Sequence, residues 1–284
     1  MTFVTPQTLH AIREVVDHAL DAAAEVTLPK FRSPVEIDNK DAFGFDPVTV
    51  ADREAEQVIR NVLAAALPHA GFLGEENSVP PTALSADKTV SMAIDLIESA
   101  QAELTWVVDP IDGTRAFITG LPLWGTLIAL NNGAEVLYGA LDQPWMGERF
   151  IGYGDHAERI FKGVAHPLRT RGERALGDCI VQTTTPDMFK DDHSRKSFES
   201  VRQRVAMIRY GGDCYAYALL VMGGVDAVIE SSLQPYDIQA LIPIVQGAGG
   251  VITNWEGAPC LSGGQVVAAA NASVHQQLLD ALNG

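Results

Sequence analysis

Two aspartates that lie three residues apart give the strongest chemical signal in the sequence. They belong to the string Trp106-Val-Val-Asp-Pro-Ile-Asp-Gly-Thr114, in which a β-branched apolar run ends at Asp109. Pro110 has no N–H and favours an extended conformation for the residue before it, so the Asp109 carboxylate is expected at the tip of a strand. Asp112 can face the same space. Two carboxylates in this arrangement suit a hard divalent cation such as Mg²⁺.

The two residues that follow favour an anion-binding turn. Gly113 and Thr114 open a predicted helical turn, whose free N–H groups would point at a phosphate. Carboxylates beside such a turn are what metal-assisted phosphoryl chemistry requires. The structural alternative is that Asp112 only caps the helix. A calcium EF-hand is excluded, because a loop counted from Asp109 has Gly120 where a bidentate glutamate is needed.

Other acids stand where predicted elements begin or end. These are Glu75 after a second apolar run, Asp46 ahead of a helix, Glu230 at the end of a strand, and Asp237 at the start of a helix. Each acid alone is better explained as a helix cap or a surface residue. Together, at the tips of elements in one layered chain, they favour a shared site.

The elements that must position these acids alternate between helix and strand. Apolar residues at helical spacing predict a helix that opens at Thr5-Pro6 and another over residues 52–67. Segments after residue 105 predict an antiparallel meander, and strands alternate with helices from about Ala175 onwards. The sequence thus predicts layered α/β structure with two packed subdomains, 1–172 and 173–284. Residues 77–103 are interpreted as an insertion or lid.

Composition limits the classes of function. The chain has 284 residues, 47% of them hydrophobic, and a formal net charge of −16. It has no block of lysine and arginine, which argues against nucleic-acid binding, and no apolar run long enough to span a membrane. The three cysteines are far apart and favour free thiols in a reducing compartment. With no signal-like N-terminus, we expect a cytoplasmic protein.

Three blocks of the sequence resemble the inositol monophosphatase superfamily. They are Gly74-Glu75-Glu76, the Asp-Pro-Ile-Asp-Gly-Thr string from Asp109, and Tyr236-Asp237 through Gly249-Gly250. The middle string is a highly specific marker, and the resemblance covers the chain from about residue 46 to residue 253. It implies a five-layered α-β-α-β-α sandwich, dependence on two or three Mg²⁺ ions per active site, hydrolysis of a small phosphate ester, and usually a homodimer.

The resemblance assigns metal-binding roles to particular residues. It implies that Glu75, Asp109 and the backbone carbonyl of Ile111 bind a first metal ion. Asp109, Asp112 and Asp237 would bind a second. Glu75 would also contribute to a third, weaker site.

The resemblance likewise assigns the groups around the phosphate. The amides of Gly113 and Thr114 would bind its oxygens. Asp46 and the Thr114 hydroxyl would orient and deprotonate the attacking water. No Ser, Cys or His nucleophile is required, because the nucleophile would be that water.

Two further blocks resemble the histidinol-phosphate phosphatase branch. These are residues 117–130 with residues 141–149, and the string that runs from Arg209 to Tyr217. Asp213 beside Glu230 would suit histidinol phosphate, which carries an ammonium group and an imidazole that can be protonated. The structural alternative is that Asp213 only caps the following helix.

The substrate therefore has a favoured assignment and several alternatives. L-Histidinol phosphate, an intermediate of histidine biosynthesis, is favoured over inositol 1-phosphate. Arg209 is expected to contact the substrate, although it would also suit the second anionic group of a nucleotide or sugar bisphosphate. A different class of function is a catalytically silent, metal-binding regulatory protein with the same fold.

Overall fold

The structure is a computed structural model, and it describes residues 5–34, 37–39, 47–76 and 103–284. The predicted insertion at 77–103 lies outside the described residues except for Glu103. The helices are α1 (Pro6–Thr27), α2 (Val50–Ala66), α3 (Thr114–Thr119), α4 (Asp192–Arg202), α5 (Tyr215–Val221), α6 (Pro235–Ile238), α7 (Leu241–Gly247) and α8 (Ala272–Asn283). The strands are β1 (Ile37–Asn39), β2 (Pro47–Thr49), β3 (Gly71–Gly74), β4 (Thr105–Asp112), β5 (Gly125–Asn131), β6 (Val136–Gln143), β7 (Glu148–Tyr153), β8 (His156–Phe161), β9 (Val164–Pro167), β10 (Ile180–Thr183), β11 (Met207–Tyr210), β12 (Ala227–Leu233), β13 (Val251–Asn254) and β14 (Gly264–Ala269).

The first large sheet contains strands β3 to β9 in chain order. β3 runs parallel to β4, and each later pair is antiparallel, which confirms the predicted meander. α1 and α2 cover one face, where Leu20 and Ile59 pack with Trp106 of the sheet. α1 begins where the Thr5 side chain accepts a hydrogen bond from the backbone N–H of Thr8. This cap, with the apolar stripe behind it, explains the predicted helix.

The second large sheet has the strand order β11-β10-β12-β14-β13. α4 and α8 cover its outer face, with Phe198 and Leu278 in the core. α5 and α7 lie between the two sheets, because their buried residues pack with Leu127 of the first sheet and Val228 of the second. Helices and sheets therefore alternate in five layers, which confirms the predicted α-β-α-β-α sandwich.

Several elements were not predicted from the sequence. They are α4, β1, β2, β8, β9 and β11. α4 is mostly polar, with Phe198 and Val201 as its buried apolar residues, and every residue of β9 is exposed. Neither element therefore shows a strong periodic pattern of apolar residues.

The predicted division at residues 172 and 173 falls between β9 and β10. The two sheets share a continuous core across α5 and α7, and the division itself stays a prediction. None of the helices in the described parts of the chain combines the length and the apolar composition that a membrane crossing requires. The three cysteines are buried and free of disulfide bonds.

Candidate active site

A cavity of about 370 Å³ brings together residues from both halves of the chain. Most of the residues predicted from the sequence line it: Glu75, Asp109, Ile111, Asp112, Gly113, Thr114, Asp213, Glu230 and Asp237. The first six come from β3, β4 and the turn that follows β4. The other three come from the segments around α5, β12 and α6, so the folded chain joins acids that are far apart in sequence.

An irregularity in β4 places Asp109 and Asp112 at the cavity. Asp109 pairs with Leu127 and Asp112 with Gly125, so β4 has one residue more than β5 between these two positions. Such a bulge bends the strand and changes the direction of its side chains. The Asp109 Oδ1 atom accepts a hydrogen bond of 3.0 Å from the Ile111 N–H, which fixes the buried carboxylate.

Gly113 connects this strand to α3. Its φ of 82° lies in the left-handed region, and a Cβ at this position would lie 3.1 Å from Cβ of Asp213, so both the conformation and the space favour glycine. Gly113 occupies the N-cap position of α3, and no side chain caps this helix. The alternative role of Asp112 as a helix cap is therefore not observed.

Three carboxylates form a compact group in the cavity. One oxygen from each of Asp109, Asp112 and Asp237 lies within 4.8 Å of the others. Burial raises the pKa of Asp109 well above its usual range, and the nearby carboxyls of Glu75, Asp112 and Asp237 raise it further. The pKa of Asp112 is also raised well above its usual range, mainly by burial and then by the charges of Asp237 and Asp213. A hydrogen bond of 2.8 Å from the Cys214 N–H to Asp112 opposes this rise.

Glu75 is delivered to this group by the end of β3. Because β3 and β4 are parallel neighbours, their carboxyl ends meet at one edge of the sheet. The Glu75 carboxyl is close enough to Asp109 to raise its pKa, although it is not part of the group of three. The N–H of Glu76 donates to Glu56 Oε2 at 2.7 Å, so a buried acid of α2 fixes the segment that follows β3. A Cβ on Gly74 would overlap that Glu56 carboxylate.

The donor set fits a divalent metal ion. Carboxylate oxygens are the ligands that Mg²⁺ prefers, and crowding of buried carboxyls is the condition that a cation relieves. The carbonyl oxygen of Ile111 is held at the same place by a hydrogen bond of 3.1 Å from the Thr114 hydroxyl. Asp237 also accepts a hydrogen bond of 2.7 Å from the Gln234 N–H, which orients its carboxylate within α6.

The structure shows an acid beside Thr114 that the sequence analysis did not assign. Asp52 Oδ1 lies 3.5 Å from Thr114 Oγ1, and Asp52 is fully buried at the start of α2. Its Oδ2 atom accepts hydrogen bonds from the N–H and hydroxyl of Thr49. The Thr49 side chain accepts in turn from the backbone N–H of Asp52, which completes a capping box. Asp46 lies outside the described residues, and its role stays a prediction.

Two acids lie at the part of the cavity formed by the second half of the chain. Burial raises the pKa of Asp213 to about 6, against the nearby charge of Arg115. Burial raises the pKa of Glu230 to about 7, and Asp213 adds to this shift. Asp213 has a φ of 45°, an uncommon conformation for a residue other than glycine.

The alternative role of Asp213 as a helix cap is not observed. α5 begins at Tyr215 with Cys214 at the N-cap position, and no side chain caps it. The Asp213 carboxyl instead lines the cavity. This placement favours a contact with a ligand.

The substrate contact of Arg209 stays a prediction, and the structure places this residue away from the cavity lining. Arg209 lies on β11, the outermost strand of the second sheet, and its side chain is exposed. It is not among the described residues that line the cavity.

Two polar residues that the sequence analysis did not assign hold Glu230. Thr184, which follows β10, donates to Glu230 Oε1 from its hydroxyl at 2.5 Å and from its N–H at 3.2 Å. Tyr217 on α5 donates its hydroxyl to Glu230 Oε2 at 3.0 Å. Both residues also line the cavity.

Comparisons with known proteins indicate the same family as the sequence motifs. A family model described as the inositol monophosphatase family matches residues 9–283. The bifunctional phosphatase IMPL2, chloroplastic, of Arabidopsis thaliana is 38% identical over 271 residues, which cover 92% of this chain and 72% of that protein. A histidinol-phosphatase of Streptomyces coelicolor is 30% identical, with 93% of each protein covered. A solved structure of an inositol monophosphatase from Zymomonas mobilis has a TM-score of 0.78 at 36% identity, and covers 95% of this chain and 97% of its own.

Proposed function

The chain belongs to the inositol monophosphatase family, and from that premise we propose that it is a Mg²⁺-dependent phosphomonoesterase whose substrate is L-histidinol phosphate. The observation that carries the phosphatase activity is the convergence of Asp109, Asp112 and Asp237 within 4.8 Å. Three carboxyls held so close, with Asp109 buried and the other two half-buried, suit a divalent cation and its phosphate ligand.

The residues that would hold Mg²⁺ are the group of three aspartates together with Glu75 and the Ile111 carbonyl. Asp109, Asp112 and Asp237 would bind one ion, and Glu75, Asp109 and the Ile111 carbonyl would bind another. Bound Mg²⁺ would supply charge neutralisation to the phosphate oxygens and make a water molecule more acidic. The N–H groups of Gly113 and Thr114 would donate hydrogen bonds to the phosphate at the start of α3.

The proton of the attacking water has a path through Thr114. The Thr114 hydroxyl donates to the Ile111 carbonyl and also lies 3.5 Å from Asp52 Oδ1. Rotation of this hydroxyl towards Asp52 would let Oγ1 accept a proton from water while its own proton passes to Asp52. Asp52 is fully buried and fixed by Thr49, which holds the acceptor in place. The chain itself thus positions the water and removes its proton, and no covalent intermediate with the protein is needed.

The carboxyls of Asp213 and Glu230 support a cationic substrate. Asp213 is half-buried with a pKa raised to about 6, and Glu230 is buried with a pKa raised to about 7, so both gain from a cation that compensates their charge. The ammonium and imidazole of histidinol phosphate offer that charge, whereas inositol is an uncharged polyol. Inositol 1-phosphate is the alternative substrate, since a solved inositol monophosphatase shares 36% identity and the fold.

Release of inorganic phosphate from a panel of esters tests this proposal. With Mg²⁺ present, we expect kcat/KM for L-histidinol phosphate to exceed that for inositol 1-phosphate by about 100-fold or more, a ratio that specific charge pairing can supply. A higher value for inositol 1-phosphate would favour the alternative substrate. No Mg²⁺-dependent release from any ester would exclude the phosphatase activity itself.

A further inference from the structure

We propose that Tyr217 is a positioning residue that holds the Glu230 carboxylate for the cationic group of the substrate, and so sets the preference for cationic esters over uncharged ones. The inference rests on the proposed function, because it takes Glu230 as the group that meets the cation. It adds to that function a residue which makes the selection possible without entering the phosphate chemistry.

In the part of the chain that the structure describes, the Glu230 carboxylate accepts every side-chain hydrogen bond that it makes. Tyr217 donates to Oε2, and the hydroxyl and N–H of Thr184 donate to Oε1. Burial and the neighbouring Glu230 raise the pKa of Tyr217 well above its usual range, so its hydroxyl keeps the proton and acts as the donor. Donors stabilise the ionised carboxylate, and they oppose the burial that raises the pKa of Glu230.

The position of Tyr217 on α5 links the cation-binding acids to the metal-binding acids. Cys214, at the N-cap of α5, donates its N–H to Asp112 Oδ1 at 2.8 Å. Tyr217 follows three residues later, a spacing that places both residues on one side of a helix. A single rigid helix therefore contacts a metal-binding acid and Glu230, and it fixes the distance between them.

Replacement of Tyr217 by phenylalanine removes the hydroxyl and keeps the ring. Tyr217 is 1% exposed, so water cannot readily replace the lost donor at Glu230 Oε2. In Tyr217→Phe we expect KM for L-histidinol phosphate to rise about 10- to 100-fold, as for a lost hydrogen bond to a charged group. We expect kcat to change little, and kcat/KM for inositol 1-phosphate to stay within about threefold, as for a group outside the reaction.

The pH dependence separates positioning from simple support of the fold. Loss of a donor raises the pKa of Glu230, so the acidic limb of the kcat/KM profile for L-histidinol phosphate should move to higher pH. In a Glu230→Gln background, Tyr217→Phe should add no further loss, because the two residues act as one unit.

Tyr215→Phe is the matched control. Tyr215 lies on the same helix and is also buried, but its hydroxyl donates to Glu148, and it does not line the cavity. It should leave the specificity ratio unchanged. Thr184→Val is a second variant, which removes a donor from the other oxygen of Glu230. It should show the same selective rise in KM, and it provides the test if Tyr217→Phe fails to fold.

The outcomes distinguish this inference from the proposed function. If the wild-type protein shows no preference for L-histidinol phosphate, the proposed function and this inference both fail. If the preference exists and Tyr217→Phe lowers the activity on both esters equally, or acts only on kcat, the positioning role is overturned while the proposed function stands. A selective rise in KM together with the shifted pH profile supports it.

Discussion

The two ends of the cavity use the same chemical group in different settings. At the metal-binding end, Asp109, Asp112 and Asp237 crowd within 4.8 Å and repel one another. At the other end, Asp213 has the charge of Arg115 nearby, and Glu230 has three hydrogen-bond donors. Crowded carboxyls suit an ion of charge two that binds several oxygens, whereas separate, individually supported carboxyls suit a singly charged organic cation. From the arrangement of the acids we therefore infer that phosphate hydrolysis takes place at the metal-binding end, and that the Asp213 and Glu230 end determines which substrate binds.

Removal of a carboxylate charge at the metal-binding end should have the largest effect. Asp109→Asn is expected to lower kcat about 1,000-fold or more on every ester, because the charge stabilisation at the phosphate depends on the cation. Steady-state kinetics with a Mg²⁺ titration measure this. Asp192→Asn, on an exposed side chain of α4, is the control and should be neutral. An unchanged turnover in Asp109→Asn would remove this end from the chemistry.

Asp52→Asn should give the next largest effect. The amide is a poor acceptor for the proton that Thr114 passes on, so kcat should fall about 100-fold on both L-histidinol phosphate and inositol 1-phosphate. The capping interaction with Thr49 N–H can persist with the amide oxygen, so thermal unfolding should show a folded protein. Selective loss on one ester alone would contradict the assignment of Asp52 to the common chemistry.

Asp213→Asn should weaken the binding of L-histidinol phosphate without affecting the hydrolysis step that both esters share. Asparagine tolerates the left-handed conformation that Asp213 adopts at a φ of 45°, so the backbone should stay in place. We expect about a tenfold rise in KM for L-histidinol phosphate, and little change for inositol 1-phosphate, since a charge-assisted hydrogen bond is lost. An unchanged ratio of the two kcat/KM values would exclude Asp213 from substrate recognition.

The smallest expected effect concerns stability at the Glu230 end. Because burial raises the pKa of Glu230 to about 7 in the folded chain, ionisation costs stability as the pH rises from the unfolded pKa near 4 through about 7. Glu230→Gln removes this cost. From about pH 5 to about pH 8, the free energy of unfolding of the variant relative to that of the wild type should therefore rise by roughly 2 kcal/mol. Urea unfolding of both proteins in the presence of a chelator measures the difference. A constant difference across this range would contradict the raised pKa.

Local sequence patterns predicted the first half of the site well. Asp109, Asp112, Gly113 and Thr114 lie in one short string, so their proximity did not depend on the tertiary fold. The strand and helix ends that carry Glu75 and Asp237 were also visible as apolar runs followed by acids. The layered fold followed from the same alternation of elements.

The rest of the site depends on tertiary contacts that local patterns do not report. Asp52 carries a capping-box signature with Thr49, which explains the residue without any role in the cavity. Tyr217 and Thr184 meet Glu230 across α5, β10 and β12, and only the packing of these elements brings them together. The edge position of β11, which carries Arg209, could not be predicted either, because a short strand does not reveal whether it is central or at an edge of its sheet.

The location of bound metal ions tests the central claim most directly. A crystal of the protein grown or soaked with Mn²⁺ in place of Mg²⁺ gives an anomalous signal that marks each ion. We expect a peak within about 2.5 Å of carboxylate oxygens of Asp109, Asp112 and Asp237. Full-occupancy ions elsewhere in the molecule, with no peak among these three carboxylates, would contradict the assignment of this cavity as a metal-dependent active site.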